Sequence, residues 1–85
     1  MTDEERYNGL VRLVQLVKPV EEEKINERAD LKADLDFDEV DRLELLMMAE
    51  RYFDVAFSDG EIDFLSGFGD ILDAIAEYQK KPDVL

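Results

Sequence analysis

The chain contains no cysteine, no histidine and no tryptophan. Without cysteine there is no disulfide and no thiolate-bound zinc or iron–sulfur centre. Without histidine there is no imidazole metal ligand and no Ser–His or Cys–His nucleophile pair. No apolar run approaches the roughly 18 residues that a membrane span needs. Positive charge is scarce: 10 Lys+Arg stand against 23 Asp+Glu, a net charge of −13. Such a chain repels phosphate backbones and anionic bilayers, which argues against nucleic acid and membrane as partners and for basic protein surfaces. The opening Met1-Thr2-Asp3-Glu4-Glu5 has the wrong charge sign for a secretory signal, so the default expectation is the cytoplasm. Self-repulsion favours a monomer.

What is present is an apolar fraction of 46% in 85 residues. That is too apolar for a disordered acidic tail and long enough for a single domain over 1–85 that buries somewhat over 60% of its unfolded surface. Thr2-x-x-Glu5 reads as a capping box opening a first helix. Tyr7, Leu10, Val11, Leu13, Val14 and Val17 follow at helical spacing. Gly9 inside that helix costs about 1 kcal/mol against alanine. Pro19 ends the helix by excluding Lys18 from the α region. Residues 19–37 form a long connection with apolar anchors Ile25, Leu31, Leu35 and Phe37. A loop of that length predicts either a hidden helical turn around 21–28 or pinning by those anchors.

Asp38 is the expected N-cap of a second helix reaching Arg51–Phe53, with Glu39 and Asp41 in the first turn, where the helix dipole favours anions. Leu45, Leu46, Ala49, Tyr52 and Phe53 share one face of it, the predicted core face. Val40, Leu43 and Met47 point almost the opposite way, edged by Glu44, Glu50, Arg51 and Asp54. Such a second stripe with a carboxylate rim predicts an interface. Packing against the first loop is the alternative. Asp59-Gly60 signals a turn, and Ile62, Phe64 and Leu65 allow one short helical turn. Ser66-Gly67-Phe68-Gly69 reads as flexible. A last helix is expected from an Asp70 N-cap, with Ile71, Ala74, Ile75 and Tyr78 inward, Lys80 and Lys81 at its end and Pro82 as its stop.

The run from Asp34 to Leu45, Asp-Leu-Asp-Phe-Asp-Glu-Val-Asp-Arg-Leu-Glu-Leu, resembles the acyl carrier protein family, whose pattern here is approximately D-L-G-x-D-S-L-D-x-V-E-L. Asp34, Leu35, Asp38, Asp41, Glu44 and Leu45 follow it, and Val40 and Leu43 replace its leucine and valine conservatively. Tyr52-Phe53-Asp54-Val55 is similar to the family's E-F-D-V, and Phe68-Gly69-Asp70-Ile71 to its V-G-D-L. The resemblance, covering about residues 5–78, implies an all-α acyl-carrier-like bundle of three longer helices plus one or two short ones, with a long first loop. It also implies that the second helix recognises partners through Asp38, Glu39, Val40, Asp41, Leu43, Glu44, Met47 and Glu50.

Three positions depart from the family. The family's serine, which carries phosphopantetheine through a phosphodiester, is Glu39 here, and a carboxylate is not the hydroxyl nucleophile that attacks coenzyme A. The two serines, Ser58 and Ser66, lie elsewhere. No cofactor is therefore expected. Glu39 has two readings: a first-turn carboxylate contributing about 0.3–1 kcal/mol with the dipole, or an imitation of the missing phosphate's charge. Asp36 replaces the family's usual glycine, which is expected to stiffen the helix entry or alter the approach of a modifying enzyme. Arg51 stands where the family more often has an acid, and it either changes partner choice or pairs with Glu44 or Asp54.

The core stripe could line an acyl-chain space with Leu45, Leu46, Ala49, Phe53, Ile62, Phe64, Ile71 and Ile75. Without an arm, filling by Phe53, Phe57, Phe64 and Phe68 is expected instead. Asp34-x-Asp36-x-Asp38 lacks the glycine and the terminal glutamate of an EF-hand loop, so no specific metal site is expected. Nor is an enzyme: there is no phosphate-cradling glycine loop and little room for a cleft in so short a bundle. The functional expectation is an interaction module of acyl-carrier type that docks on basic partners, which the resemblance places in a fatty-acid, polyketide or related pathway. The alternatives are a true acyl carrier with a replaced serine, and an acidic adaptor or inhibitor unrelated to acyl metabolism.

Overall fold

A computed structural model of the chain describes residues 1–80. Four α-helices follow one another: α1 (Asp3–Val17), α2 (Glu39–Phe53), α3 (Asp59–Ile62) and α4 (Phe68–Lys80), with a 3-10 turn at Glu22–Lys24. The all-α bundle expected from the sequence is the observed architecture. Helix α1 packs on both α2 and α4.

The helix starts follow from their caps. The Thr2 hydroxyl accepts the Glu5 amide while the Glu5 carboxylate accepts the Thr2 amide. Asp38 and Asp41 form the same reciprocal box at α2, and Ser58 and Glu61 form it at α3. Each box satisfies two amide donors that the helix itself leaves orphaned. Helix α4 begins two residues before the expected Asp70. Asp70 stands in its first turn, where the carboxylate accepts the Gly67 amide at 3.2 Å. Glycines in the Ser66–Gly69 segment suggested flexibility, but the Phe68 amide donates to Ala29 O and the Leu31 amide to Ser66 O, tying the segment to the first loop. Lys81 and Pro82, the expected end of the helix, lie outside the described residues.

The first loop uses both expected devices. A 3-10 turn forms at 22–24, and Ile25, Leu31, Leu35 and Phe37 are all buried. Gly69 shows how closely this loop lies on α4: a Cβ there would stand 2.3 Å from the Glu27 carbonyl oxygen.

The core is assembled from Leu10, Val14, Leu31, Leu45, Phe68, Ile71 and Ile75, each under 2% exposed. Phe53 and Phe57 join it. Two core assignments fail. Tyr52, placed on the inner face of α2, is 54% exposed and lies edge-on against the buried Phe53 ring. Phe64, counted among the core-filling aromatics, is 78% exposed, while its neighbour Leu65 turns inward. The sequence also gave no notice of Arg6, which is buried and donates to Met1 O and Gln79 Oε1 while pairing with Asp3. Its spacing of four and seven residues from Leu10 and Leu13 marks the same α1 face.

Candidate docking surface at the second helix

The first turn of α2 is held from two sides by cations. Lys18, just beyond α1, reaches the Asp41 carboxylate at 3.0 Å and also donates to Asp36 O. Arg42 grips Glu39 with two hydrogen bonds: Nε to Oε1 at 2.9 Å and Nη2 to Oε2 at 2.8 Å. Its remaining nitrogen, Nη1, donates to Ile62 O at 2.7 Å and Leu65 O at 3.0 Å. The planar guanidinium matches a carboxylate bidentately and still has a donor free for the backbone, which a lysine could not reproduce.

These contacts shift the charges they join. The hydrogen bond from Arg42 holds the Glu39 carboxyl below its ordinary value, and the guanidinium is shifted upward in turn. The Asp38 backbone amide, with help from Lys18, lowers Asp41, and the Asp41 carboxylate raises Lys18. Glu39 nevertheless remains open to water, with its side chain 66% exposed.

Asp36, in place of the family glycine, adopts φ 57°, a left-handed conformation. Glycine enters that region freely, and aspartate tolerates it better than most residues. The backbone shape expected of a glycine is thus kept with a different residue.

Of the residues assigned to partner contact, Val40 is 71% exposed, Met47 58% and Leu43 40%. Asp38, Glu39 and Glu44 are exposed too. At those exposures Val40 and Met47 are not covered by the first loop. Asp41 and Glu50 are half-buried and internally engaged. Asp41 closes the capping box, and Glu50 Oε2 accepts the Phe57 amide at 2.8 Å. Arg51 is exposed and forms no ion pair with Glu44 or Asp54 among the described residues. Neither Lys18 nor Arg42 was expected at the site. The three-residue spacing from Glu39 to Arg42 was the available signal for the latter. A cleft of ≈ 380 Å³ opens beside the pair, lined in part by Phe37, Glu39, Arg42 and Ser66. Ser58 is the α3 cap.

An acyl carrier protein of Coprothermobacter proteolyticus is 31% identical over 75 residues, covering 88% of this chain and 92% of that protein. The chain belongs to the acyl carrier protein family. The acyl carrier protein of Lactobacillus johnsonii is 28% identical over 79 residues, 93% of this chain and 99% of its own. Mitochondrial acyl carrier protein 3 of Arabidopsis thaliana is 35% identical over 65 residues, 73% of this chain. The chain spans about half the length of that relative, 50%. No family model matches the chain. Among the described residues no helix is long and apolar enough to cross a membrane.

Proposed function

We propose that this acyl-carrier-family chain is a non-enzymatic docking module that presents α2 to a protein partner and carries no phosphopantetheine arm at residue 39. The observation that carries this reading is the placement of Glu39. It occupies the exposed first turn of α2, where the family pattern has its serine, with both carboxylate oxygens engaged by Arg42. A phosphodiester tether needs a hydroxyl, so the residue present does not fit the family's prosthetic group.

The partner in this proposal is an acyl-pathway enzyme with a basic patch around an apolar centre. Val40, Leu43 and Met47 supply the exposed apolar stripe, and the exposed Asp38 and Glu44 supply the rim. Carboxylates in this arrangement accelerate encounter with a basic surface more than they add affinity. The Arg42 grip bears on the two readings of Glu39. An acid already paired with an internal cation presents less charge to a partner, which favours a structural role over imitation of a phosphate. In the same proposal the module is cytoplasmic and monomeric.

Capture from a native extract tests this. The immobilised chain is expected to retain acyl-pathway enzymes, and Met47→Glu, which places a charge in the stripe without touching the core, is expected to lose them. Retention of the same proteins by Met47→Glu would refute docking through α2.

A further inference from the structure

Phe64 lies between the two carbonyls that Arg42 holds. The guanidinium donates to Ile62 O and Leu65 O, so the segment 62–65 is fixed alongside the N-terminal half of α2. The Phe64 amide donates to Glu61 O and the Leu65 amide to Ile62 O, closing the turn from within. Leu65 takes the inward direction, leaving Phe64 outward and 78% exposed. A phenylalanine so placed forgoes burial on the scale of a whole side chain, and a fixed backbone leaves it no means of recovering that burial by folding inward. Asp59, Glu61 and Asp63 precede it in sequence, and the whole chain is at −13.

We propose that Phe64 is an aromatic anchor of the docking surface, held outward by the Arg42 clamp, and that its occupant is a protein surface with an apolar pocket rimmed by lysine and arginine. The charge complementarity is that of the acidic segment just before it, Asp59 to Asp63. A rigid aromatic loses little side-chain freedom on insertion, which is why aromatic residues dominate interface energetics. Arg42 is the positioning residue in this arrangement, and Glu39 orients it. The inference rests on the docking reading of α2 and extends the contact surface to the segment before α4.

The probe is a synthetic amphipathic peptide with leucines on one helical face and lysines on the other. A scrambled peptide of identical composition is the control. Binding is measured by fluorescence anisotropy at physiological salt, and the contact surface is mapped by amide and aromatic chemical shifts. The expected result is perturbation of the Phe64 ring together with Val40, Leu43 and Met47, and much weaker binding of the scrambled peptide. Phe64→Ser is expected to weaken the ordered peptide about tenfold or more, Phe64→Leu to retain most of the affinity, and Arg42→Lys to weaken it with the helical content unchanged. Equal affinity of Phe64→Ser, or equal binding of the scrambled peptide, overturns the proposal. Shifts confined to α2 overturn the role of Phe64 while leaving the docking helix standing, and shifts on neither overturn both.

Discussion

Glu39 and Arg42 form a bidentate pair across one turn of α2, with donor–acceptor distances of 2.9 and 2.8 Å. The pair joins the helix to the α3 side of the bundle, because the same guanidinium holds Ile62 O and Leu65 O. Arg42→Gln is expected to return the Glu39 carboxyl toward its ordinary titration range and to speed amide hydrogen exchange around residues 62–65. Carboxyl titration by NMR and exchange rates check both. The sign follows from the lowered carboxyls of Glu39 and Asp41. Each binds its proton less readily folded than unfolded. Their contribution to stability is therefore present above the unfolded values, and it is lost as pH falls below about 4 through the folded ones. Lys18, raised by Asp41, works the other way: its contribution is complete below its unfolded value and disappears only as strongly alkaline pH passes the folded one.

Gly69 separates helix propensity from packing. Within a helix, Gly→Ala is ordinarily worth about 1 kcal/mol of stabilisation. Here the added carbon would lie 2.3 Å from Glu27 O, a backbone atom. Gly69→Ala is expected to destabilise the chain by roughly 1–3 kcal/mol, the usual range for overpacking. Denaturant melts of the two proteins decide the sign.

Asp36 gives the opposite case. Its φ of 57° is free for glycine and costs an ordinary L-residue about 1–2 kcal/mol, less for aspartate. Asp36→Gly is expected to stabilise by up to about 1 kcal/mol, net of glycine's greater freedom in the unfolded chain. A loss of stability would show that the left-handed turn is not where the strain lies.

Charge repulsion at −13 makes the fold sensitive to divalent cations. Millimolar calcium or magnesium is expected to raise the melting temperature when ionic strength is held constant with sodium chloride. An unchanged melting temperature would mean that the carboxylates are already well enough separated.

Much of this architecture could be read from local chemistry. Thr2-x-x-Glu5 and Asp38 carry their helix starts in their own side chains, so α1 and α2 begin where expected. The inward positions Leu45, Leu46, Ala49 and Phe53 follow from 3.6-residue spacing alone. The misplacements arise where distant partners decide. Phe68 enters α4 because its amide meets Ala29 O across the fold, which no local signal near Asp70 reveals. Phe64 and Leu65 are both apolar, and the choice of which one turns inward accompanies a clamp supplied by Arg42 from another helix. At the candidate site, the exposed stripe Val40, Leu43 and Met47 was legible as a second face. The internal engagement of Glu50 and the Lys18 contact to Asp41 were not, since they depend on Phe57 and Lys18 arriving from other elements.

The most direct measurement is the intact mass of the unaltered chain after incubation with a broad-specificity phosphopantetheinyl transferase and coenzyme A, run beside Glu39→Ser. An unchanged mass for the native chain, with loading of the serine variant, is the predicted result. A phosphopantetheine mass gain on the native chain, at Ser66 or at any other residue, would contradict the account.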